Sequence, residues 1–112
     1  MWICLNDTFL SIVHKDCKAN ELTVRARRKG DIERLFPDAE VRKGGGTDYP
    51  YRAVVSRKTV AAALTHVVRD IDYGNFKSSV RDRQLHDAYY SVWHAMSRIE
   101  HVPAQGRQQP LF

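Results

Sequence analysis

The residue types that could carry chemistry are concentrated in one stretch of the chain, residues 71–96. Tyrosines, histidines, aspartates, arginines and a tryptophan are interleaved there, on what reads as a loop leading into an amphipathic helix. His86 is followed by Asp87, and a histidine beside a carboxylate is the minimum requirement for acid–base catalysis. No serine or cysteine lies in the strained, Gly-flanked turn that exposes a nucleophile. The stretch therefore permits a small hydrolase or nuclease that uses His86 and Asp87, without marking any residue as catalytic.

The histidines of this stretch do not have the spacing of a metal site. His86 and His94 are eight residues apart in sequence, which places them about 12 Å apart along a helix axis. Bonds from protein ligands to a metal are about 2 Å long, so the two histidines cannot share one ion. The sequence predicts neither a metal site nor a cofactor.

The same stretch is also typical of a binding surface, because tryptophan, tyrosine and arginine dominate the hot spots of protein interfaces. Several of its aromatic side chains are not obviously required by the predicted core, although a plain packing role stays open. The leading interpretation is a non-enzymatic binding or adaptor module that acts on a protein or nucleoprotein partner. The residues predicted to contact that partner are Arg25, Arg27, Tyr73, Phe76, His86, Tyr90, Trp93, Leu111 and Phe112.

Basic residues in the first half of the chain suggest an alternative, direct contact with nucleic acid. Residues 1–58 contain twelve Lys and Arg against eight Asp and Glu, whereas residues 59–112 contain six against five. Cations on one sheet face, with tyrosines among them, suit neutralisation of phosphates and stacking of bases. Ion pairs with Glu21, Glu33 and Glu40 would be the purely structural use of the same arginines. The candidates are Arg25, Arg27, Arg28, Lys29, Arg42, Lys43 and Arg52.

The last five residues form a short motif of their own. Residues 108–112, QQPLF, resemble the pentapeptide by which many bacterial replication and repair proteins bind the sliding clamp. Gln108 would match the glutamine of that motif, and Leu111 with Phe112 its apolar pair, while Gln109 stands where leucine is usual. The resemblance implies a sliding clamp as one possible partner, with the two apolar side chains as anchors.

Other segments resemble small bacterial or phage-borne proteins of unassigned function. The resemblance is carried by LND at residues 5–7, VRARRKGDIERLFP at residues 24–37, and IDYGNFKSSV and HDAYYSVW within residues 71–93. It implies no activity. It adds a role in DNA metabolism or phage–host conflict, such as inhibition of a CRISPR complex, to the expectations for a binding module.

The pattern of apolar residues predicts the elements that would position these side chains. Short apolar runs and the alternating residues 22–27 predict strands, and Pro37 ends a short helix that Asp31 would cap. Residues 39–43 and 51–57 predict a second hairpin, residues 59–71 a helix capped by Ser56, and residues from 79 to about 99 a long helix opened by a Ser79–Asp82 capping box. The predicted fold is α+β, with an antiparallel sheet of four to five strands in two hairpin-like units packed against two C-terminal helices. The apolar stripe by which the long helix is predicted to pack on the sheet consists of Leu85, Ala88, Tyr89, Val92, Met96 and Ile99.

Length and composition limit the class of protein. With 112 residues, 43% of them hydrophobic, the chain fits one domain, which we predict to span residues 1–102 and to be followed by an extended arm at residues 103–112. No apolar run approaches the roughly 18 residues of a membrane span. The two cysteines lack CxxC spacing, which predicts reduced thiols and a cytoplasmic protein. A homodimer is also compatible with the arm and with a tryptophan beside the helical stripe.

Overall fold

A computed structural model describes residues 1–44 and 48–101 and contains a five-stranded antiparallel sheet with helices on it. The strands lie in the order β1-β2-β3-β5-β4. Their bounds are β1 Trp2–Cys4, β2 Phe9–Val13, β3 Glu21–Ala26, β4 Arg42–Lys43 and β5 Tyr51–Ser56. The helices are α1 Asp31–Leu35, α2 Arg57–Arg69, α3 Phe76–Ser79 and α4 Arg83–Ser97, which a 3-10 turn at Arg98–His101 extends. The predicted α+β class and antiparallel sheet are confirmed.

Alternation of apolar and polar residues sets the two faces of the sheet. In β3, Val24 and Ala26 are fully buried, and Arg25 between them points to the opposite face. The predicted first hairpin is confirmed, with Ile3 opposite Leu10 in an antiparallel pair. The arm predicted at residues 39–43 forms only the two-residue strand β4 at the sheet edge.

The main core lies on one face of the sheet, beneath α1 and α2. Leu10, Val24 and Ile32 are completely buried there, and Val60 of α2 joins them. The remaining buried members of this cluster are Ile12, Ala26, Phe36, Ala53 and Val55. Within the described part of the chain no helix is both long and apolar enough to cross a membrane.

A second, smaller cluster attaches α4 to the opposite face at one corner of the sheet. Leu85 and Tyr89 of α4 are buried with Val80, and Phe9 of β2 and Phe76 of α3 pack against them. Phe9 projects from the face opposite to its buried neighbour Leu10, because successive side chains of a strand alternate. The helices therefore cover both faces of the sheet, but α4 covers only the end that carries Phe9.

The prediction that one stripe of α4 is buried along its whole length was wrong. Leu85 and Tyr89 are buried, but Val92 is 48% exposed, and Met96 and Ile99 are each 56% exposed. No residue after Tyr89 is buried in the part of the helix and turn that the structure describes. The helix is anchored at the sheet corner by its first two turns, and the described elements do not extend under the remainder.

Two of the three predicted helix caps differ in the structure. Ser56 caps α2 as expected, because its side chain accepts from the Thr59 amide. The residue before α1 is Gly30, in a left-handed conformation with φ of 92°, so Asp31 is the buried first residue of that helix rather than its cap. The predicted capping box of Ser79 and Asp82 is also wrong, because Asp82 caps α4 itself by accepting from the Leu85 amide. Ser79 instead ends α3, a helix that the sequence reasoning did not predict.

Candidate functional site

The exposed part of α4 presents a continuous apolar strip, which we call the α4 surface and define as Val92, Trp93, Met96 and Ile99. Val92, Met96 and Ile99 follow one another at spacings of four and three residues, so they lie on one face of the helix. Trp93 flanks that face and is 51% exposed. Large apolar side chains grouped in this way on a protein surface mark interaction sites more often than isolated ones do.

Neighbouring side chains hold the indole of Trp93 in place. The ammonium of Lys77, on α3, lies 3.5 Å from the centroid of the indole ring, within the range of a cation–π contact. The Tyr90 ring lies 5.9 Å from Trp93 and 6.4 Å from His94 between centroids. Trp93 is therefore both accessible and restrained, which lowers the entropy lost when a partner binds it.

Tyr73 and Phe76, also predicted to contact a partner, form part of the attachment of α4. The Tyr73 and Phe76 rings are 5.7 Å apart, and Phe76 is 5.5 Å from Tyr89. Phe76 is half-buried against the small cluster beneath α4. The structure thus assigns these two aromatic rings a packing role, and Tyr90 and Trp93 are the more accessible ones.

A groove of about 370 Å³ runs between α4 and the sheet. Its walls are mainly apolar, with Trp2 and Phe9 on the sheet side and Ala88 and Val92 on the helix side. Partial burial raises the pKa of the Cys4 thiol in the same wall, so this group is neutral near pH 7. The groove continues the α4 surface towards the sheet edge through Val92.

Sequence reasoning missed Trp2, which is 73% exposed. Its ring meets that of Phe9 edge-on at 6.4 Å between centroids. The signal was present in the sequence, because Trp2 precedes Ile3 in a strand, and adjacent strand residues point to opposite faces. If Ile3 faces the core, Trp2 must face away from it.

Arg28, predicted to contact nucleic acid, is instead the centre of a network inside the fold. Its guanidinium donates two hydrogen bonds to the Asp31 carboxylate, at 3.1 and 3.2 Å. It donates another to Asp82 at 2.8 Å and one to Gln84 at 3.1 Å. This network joins the β3–α1 junction to the start of α4 and fixes the direction in which that helix leaves the sheet.

Tyr89 joins α4 to the hairpin between β1 and β2. Its hydroxyl lies 2.9 Å from the carbonyl oxygen of Leu5 and 3.0 Å from that of Thr8, and it donates to this pair. Burial raises the pKa of the phenol well above its ordinary value of 10.0, so it stays a donor throughout the neutral range. Arg28 and Tyr89 together determine where the α4 surface lies.

Asp82 makes the attachment of α4 sensitive to acid. The hydrogen bond from Arg28, followed by the one from the Leu85 amide, lowers the pKa of Asp82 below its ordinary value of 3.8. A carboxyl with a lowered folded-state pKa stabilises the fold above its unfolded pKa, and this contribution is lost as the pH falls through the folded-state pKa.

We therefore expect Asp82→Asn to lower the urea midpoint of unfolding at pH 7, with a difference from the parent chain that narrows below pH 3.8. Urea titrations followed by circular dichroism at several pH values measure this difference. Asp87→Asn is the control, because the Asp87 side chain is 74% exposed and should cause little change at any pH. A decrease in the urea midpoint of Asp82→Asn that is equally large at low and neutral pH would contradict this account.

On the sheet face opposite the main core, three of the predicted arginines come together, and the buried Tyr49 ring lies against Arg25. Arg25, Arg52 and Arg42 lie directly opposite one another on the three adjacent strands β3, β5 and β4. Arg27 extends the group, because the Arg25 and Arg27 guanidiniums lie 4.5 and 4.6 Å from the centroid of the Tyr49 ring. Of the other predicted candidates, Lys29 is exposed after β3. Lys43 lies opposite Tyr51 and so points to the other face of the sheet, away from the arginines.

The histidine–carboxylate pair does not form a recognisable active site. His86 Nδ1 is 3.7 Å from an Asp87 carboxylate oxygen, but the two side chains are 44% and 74% exposed. Neither residue lines the groove beside α4 or three other cavities of the described residues. Across residues 1–44 and 48–101, no three His, Cys, Asp or Glu side chains are grouped closely enough to hold a metal ion. Cys4 and Cys17 are both free thiols.

The C-terminal motif lies outside the described residues, so a clamp contact through Gln108, Leu111 and Phe112 stays a prediction. No protein-family model, no curated protein and no solved structure matches this chain. Evidence for a function therefore comes from the geometry of the described residues alone.

Proposed function

We propose that this chain is a non-enzymatic binding module that holds a protein partner on the α4 surface. The observation that carries the proposal is the exposure of four large apolar side chains, three on α4 and Ile99 on the 3-10 turn that extends it, each 48–56% exposed. Covering them with a partner removes apolar surface from water, at about 25 cal/mol per Å².

The site has the composition of an interface hot spot. Trp93 is the residue type most enriched in hot spots, and it stands beside the flexible, polarizable Met96. Lys77 restrains the indole before any partner arrives, so little side-chain entropy remains to be lost. The groove beside Val92 provides a concave site for one further apolar side chain of the partner.

The Lys77 ammonium beside Trp93 favours an acidic side chain of the partner at that end of the α4 surface. Lys77 and Arg98 lie beside the strip, and the whole chain has a net charge of +5. Asp87 and Glu100, on the same helix and turn, are the acidic residues nearest in sequence. Complementary charge accelerates association and selects partners more than it adds affinity.

The test compares proteins captured from a bacterial lysate by the immobilised parent chain and by two variants. We expect Trp93→Ser with Met96→Ser to reduce capture of at least one protein by about ten-fold or more, since hot-spot truncations typically cost 2 kcal/mol or more. Quantitative mass spectrometry measures the ratio, and titration calorimetry with the purified partner must reproduce it.

Val68→Ser is the matched control, because Val68 is 66% exposed on α2, away from the α4 surface. It removes a similarly exposed apolar side chain and should leave capture unchanged. Equal capture by the parent chain and the α4 double variant would overturn the proposal. A self-association that the double variant abolishes would identify the partner as a second copy of the chain.

A further inference from the structure

The edge of the sheet at β1 has free backbone groups that a further strand could pair with. β1 stands at one end of the strand order, so β2 pairs with it on one side only. Met1 and Ile12 exchange hydrogen bonds between their backbone groups in both directions. Because hydrogen-bonded and non-hydrogen-bonded pairs alternate along an antiparallel ladder, the N–H and C=O groups of Trp2 and Cys4 point away from β2. Within the described part of the chain, no hydrogen bond to these outward groups is found.

The sequence of β1 does not protect this edge. Natural sheets blunt their edge strands with charged side chains, prolines or bulges, because an unprotected edge pairs with other strands. The opposite edge follows this rule, since β4 consists of only Arg42 and Lys43, both cationic and exposed. β1 consists of Trp2, Ile3 and Cys4, which carry no charge, and its register with β2 contains no bulge. One edge of the sheet is therefore blunted, and the other is available for pairing.

α4 extends past the same edge of the sheet. Asp82, the cap of α4, is bound by Arg28 just after β3, and two turns later the Tyr89 hydroxyl donates to the β1–β2 hairpin. Val92 then lines two grooves together with Cys4 of β1. The helix thus crosses the sheet from β3 towards β1, and the half-exposed apolar side chains that follow lie beyond the last strand. A strand added to β1 would extend the sheet beneath them.

A second copy of the chain supplies such a strand in matching register. In an antiparallel pair of two β1 strands centred on Ile3, Trp2 of each copy lies opposite Cys4 of the other. The outward N–H and C=O groups of these two residues then bond to one another, and none of them is left unpaired. Residues directly opposite in an antiparallel pair point to the same face of the sheet. Trp2 of the second copy therefore points to the face that carries α4.

A groove next to Cys4 has the size and the lining to hold that indole. It has a volume of about 380 Å³, and Phe76, Val92 and Trp93 line it together with Cys4. Opposite residues have Cβ atoms about 5 Å apart, so the pairing places Trp2 of the second copy at this groove. In the single chain Trp2 is 73% exposed, and among the described residues its ring contacts only that of Phe9, edge-on. The tryptophan and the groove are thus complementary between two copies.

The apolar surface around this edge is large enough for a stable dimer. Five further large apolar side chains are each 48–56% exposed there, namely Tyr90, Val92, Trp93, Met96 and Ile99. Together with Trp2 they expose roughly 700 Å², and a standard-size interface takes about 800 Å² from each partner. A two-fold axis brings the same surface of both copies into the contact, so both α4 surfaces would be covered at once.

We propose that two copies of this chain pair through β1 into one continuous sheet, with Trp2 of each copy in the groove beside Cys4 of the other. The inference rests on the proposed function, because it names a second copy as the partner that covers the α4 surface. It commits β1 to the contact as well as α4, so variants of the two elements test the two proposals separately.

Sedimentation velocity over a range of protein concentrations measures the association. We expect the parent chain to dimerise and Trp2→Lys to weaken the dimer about ten-fold or more, because it removes the indole and places a charge at the edge. Trp2 is exposed in the single chain, so this variant should fold as the parent chain does. Val68→Lys, at a 66% exposed residue of α2, is the matched control and should leave the dimer unchanged.

A pair of proline variants tests the backbone pairing. Cys4→Pro removes an amide that points away from β2, so it should weaken the dimer about ten-fold or more and keep the β1–β2 ladder. Lys43→Pro is its control at the opposite edge and should leave the dimer unchanged. The Lys43 amide also points outward, because the neighbouring Gly44 amide donates to Pro50 across the β4–β5 pair. Circular dichroism shows whether each variant is folded.

Three results would overturn the inference. They are a parent chain that stays monomeric, a dimer that Trp2→Lys leaves intact, and equal weakening by Trp2→Lys and Val68→Lys. The Trp2→Lys arm decides the matter even where Cys4→Pro does not fold. In each of these cases the proposed function stands if Trp93→Ser with Met96→Ser still reduces capture of another protein.

Discussion

Arg28→Ala is expected to lower the free energy of unfolding by about 2–3 kcal/mol, because it leaves the buried Asp31 carboxylate without its main partner. Asp31 is 3% exposed and accepts two hydrogen bonds from Arg28. Removing one partner of a fully buried ion pair costs about 3–5 kcal/mol. The smaller value expected here reflects the 26% exposure of the Arg28 side chain and the presence of Arg34 at 3.8 Å from Asp31.

Arg34→Ala is the matched control for this prediction. It removes a second arginine near the same carboxylate, but Arg34 is 55% exposed, so we expect a loss of about 0.5 kcal/mol. Urea titrations at neutral pH give both values. A double-mutant cycle of Arg28→Ala and Asp31→Asn should give a large coupling energy, because the double variant has no unpaired buried charge at residue 31. Equal losses for the two arginine variants, or no coupling, would mean that Arg28 serves the fold through its packing alone.

The strands of the sheet could be predicted because the alternation of apolar and polar residues within a strand is a local feature of the sequence. Leu22, Val24 and Ala26 alternate with polar residues, and this alternation alone assigns the two faces of β3. It also placed Arg25 on the face away from the core, where the structure has it. The alignment of Arg25 with Arg52 and Arg42 could not be predicted, because strand register depends on turn geometry and on which strands are neighbours.

The α4 surface shows what the periodicity of a helix cannot predict. Periodicity established that Val92, Met96 and Ile99 share a face with Leu85 and Tyr89. It could not show that the sheet supports only the first half of that face, since this depends on where α4 leaves the sheet corner. Contacts between residues far apart in sequence hold α4 there, among them the hydrogen bond from Arg28 to Asp82, 54 positions away, and those of the Tyr89 hydroxyl. The sequence predicts Arg28 to contact nucleic acid, and the structure shows in addition that its guanidinium joins β3 to α1 and α4.

Tyr89→Ala is expected to lower the free energy of unfolding by about 3 kcal/mol and to release α4 from the sheet. The ring is 6% exposed and packs with Leu85 and Val80 in a cluster separate from the main core. Tyr89→Phe keeps the ring but leaves the carbonyl groups of Leu5 and Thr8 without this donor, which should cost about 1–2 kcal/mol. Tyr90→Ala, at the exposed neighbouring residue, is the control and should lower the free energy of unfolding by less than about 0.5 kcal/mol.

Hydrogen exchange distinguishes local release of α4 from general loss of stability. In Tyr89→Ala the amides of α4 should exchange much faster, while those of β3, at the centre of the sheet, should keep most of their protection. Uniformly faster exchange across both elements would show that the small cluster and the main core unfold as one unit. Because α4 must be held in place for its apolar strip to meet a partner in one orientation, Tyr89→Ala should also reduce partner capture. It would do so although Tyr89 itself is buried and lies outside the α4 surface.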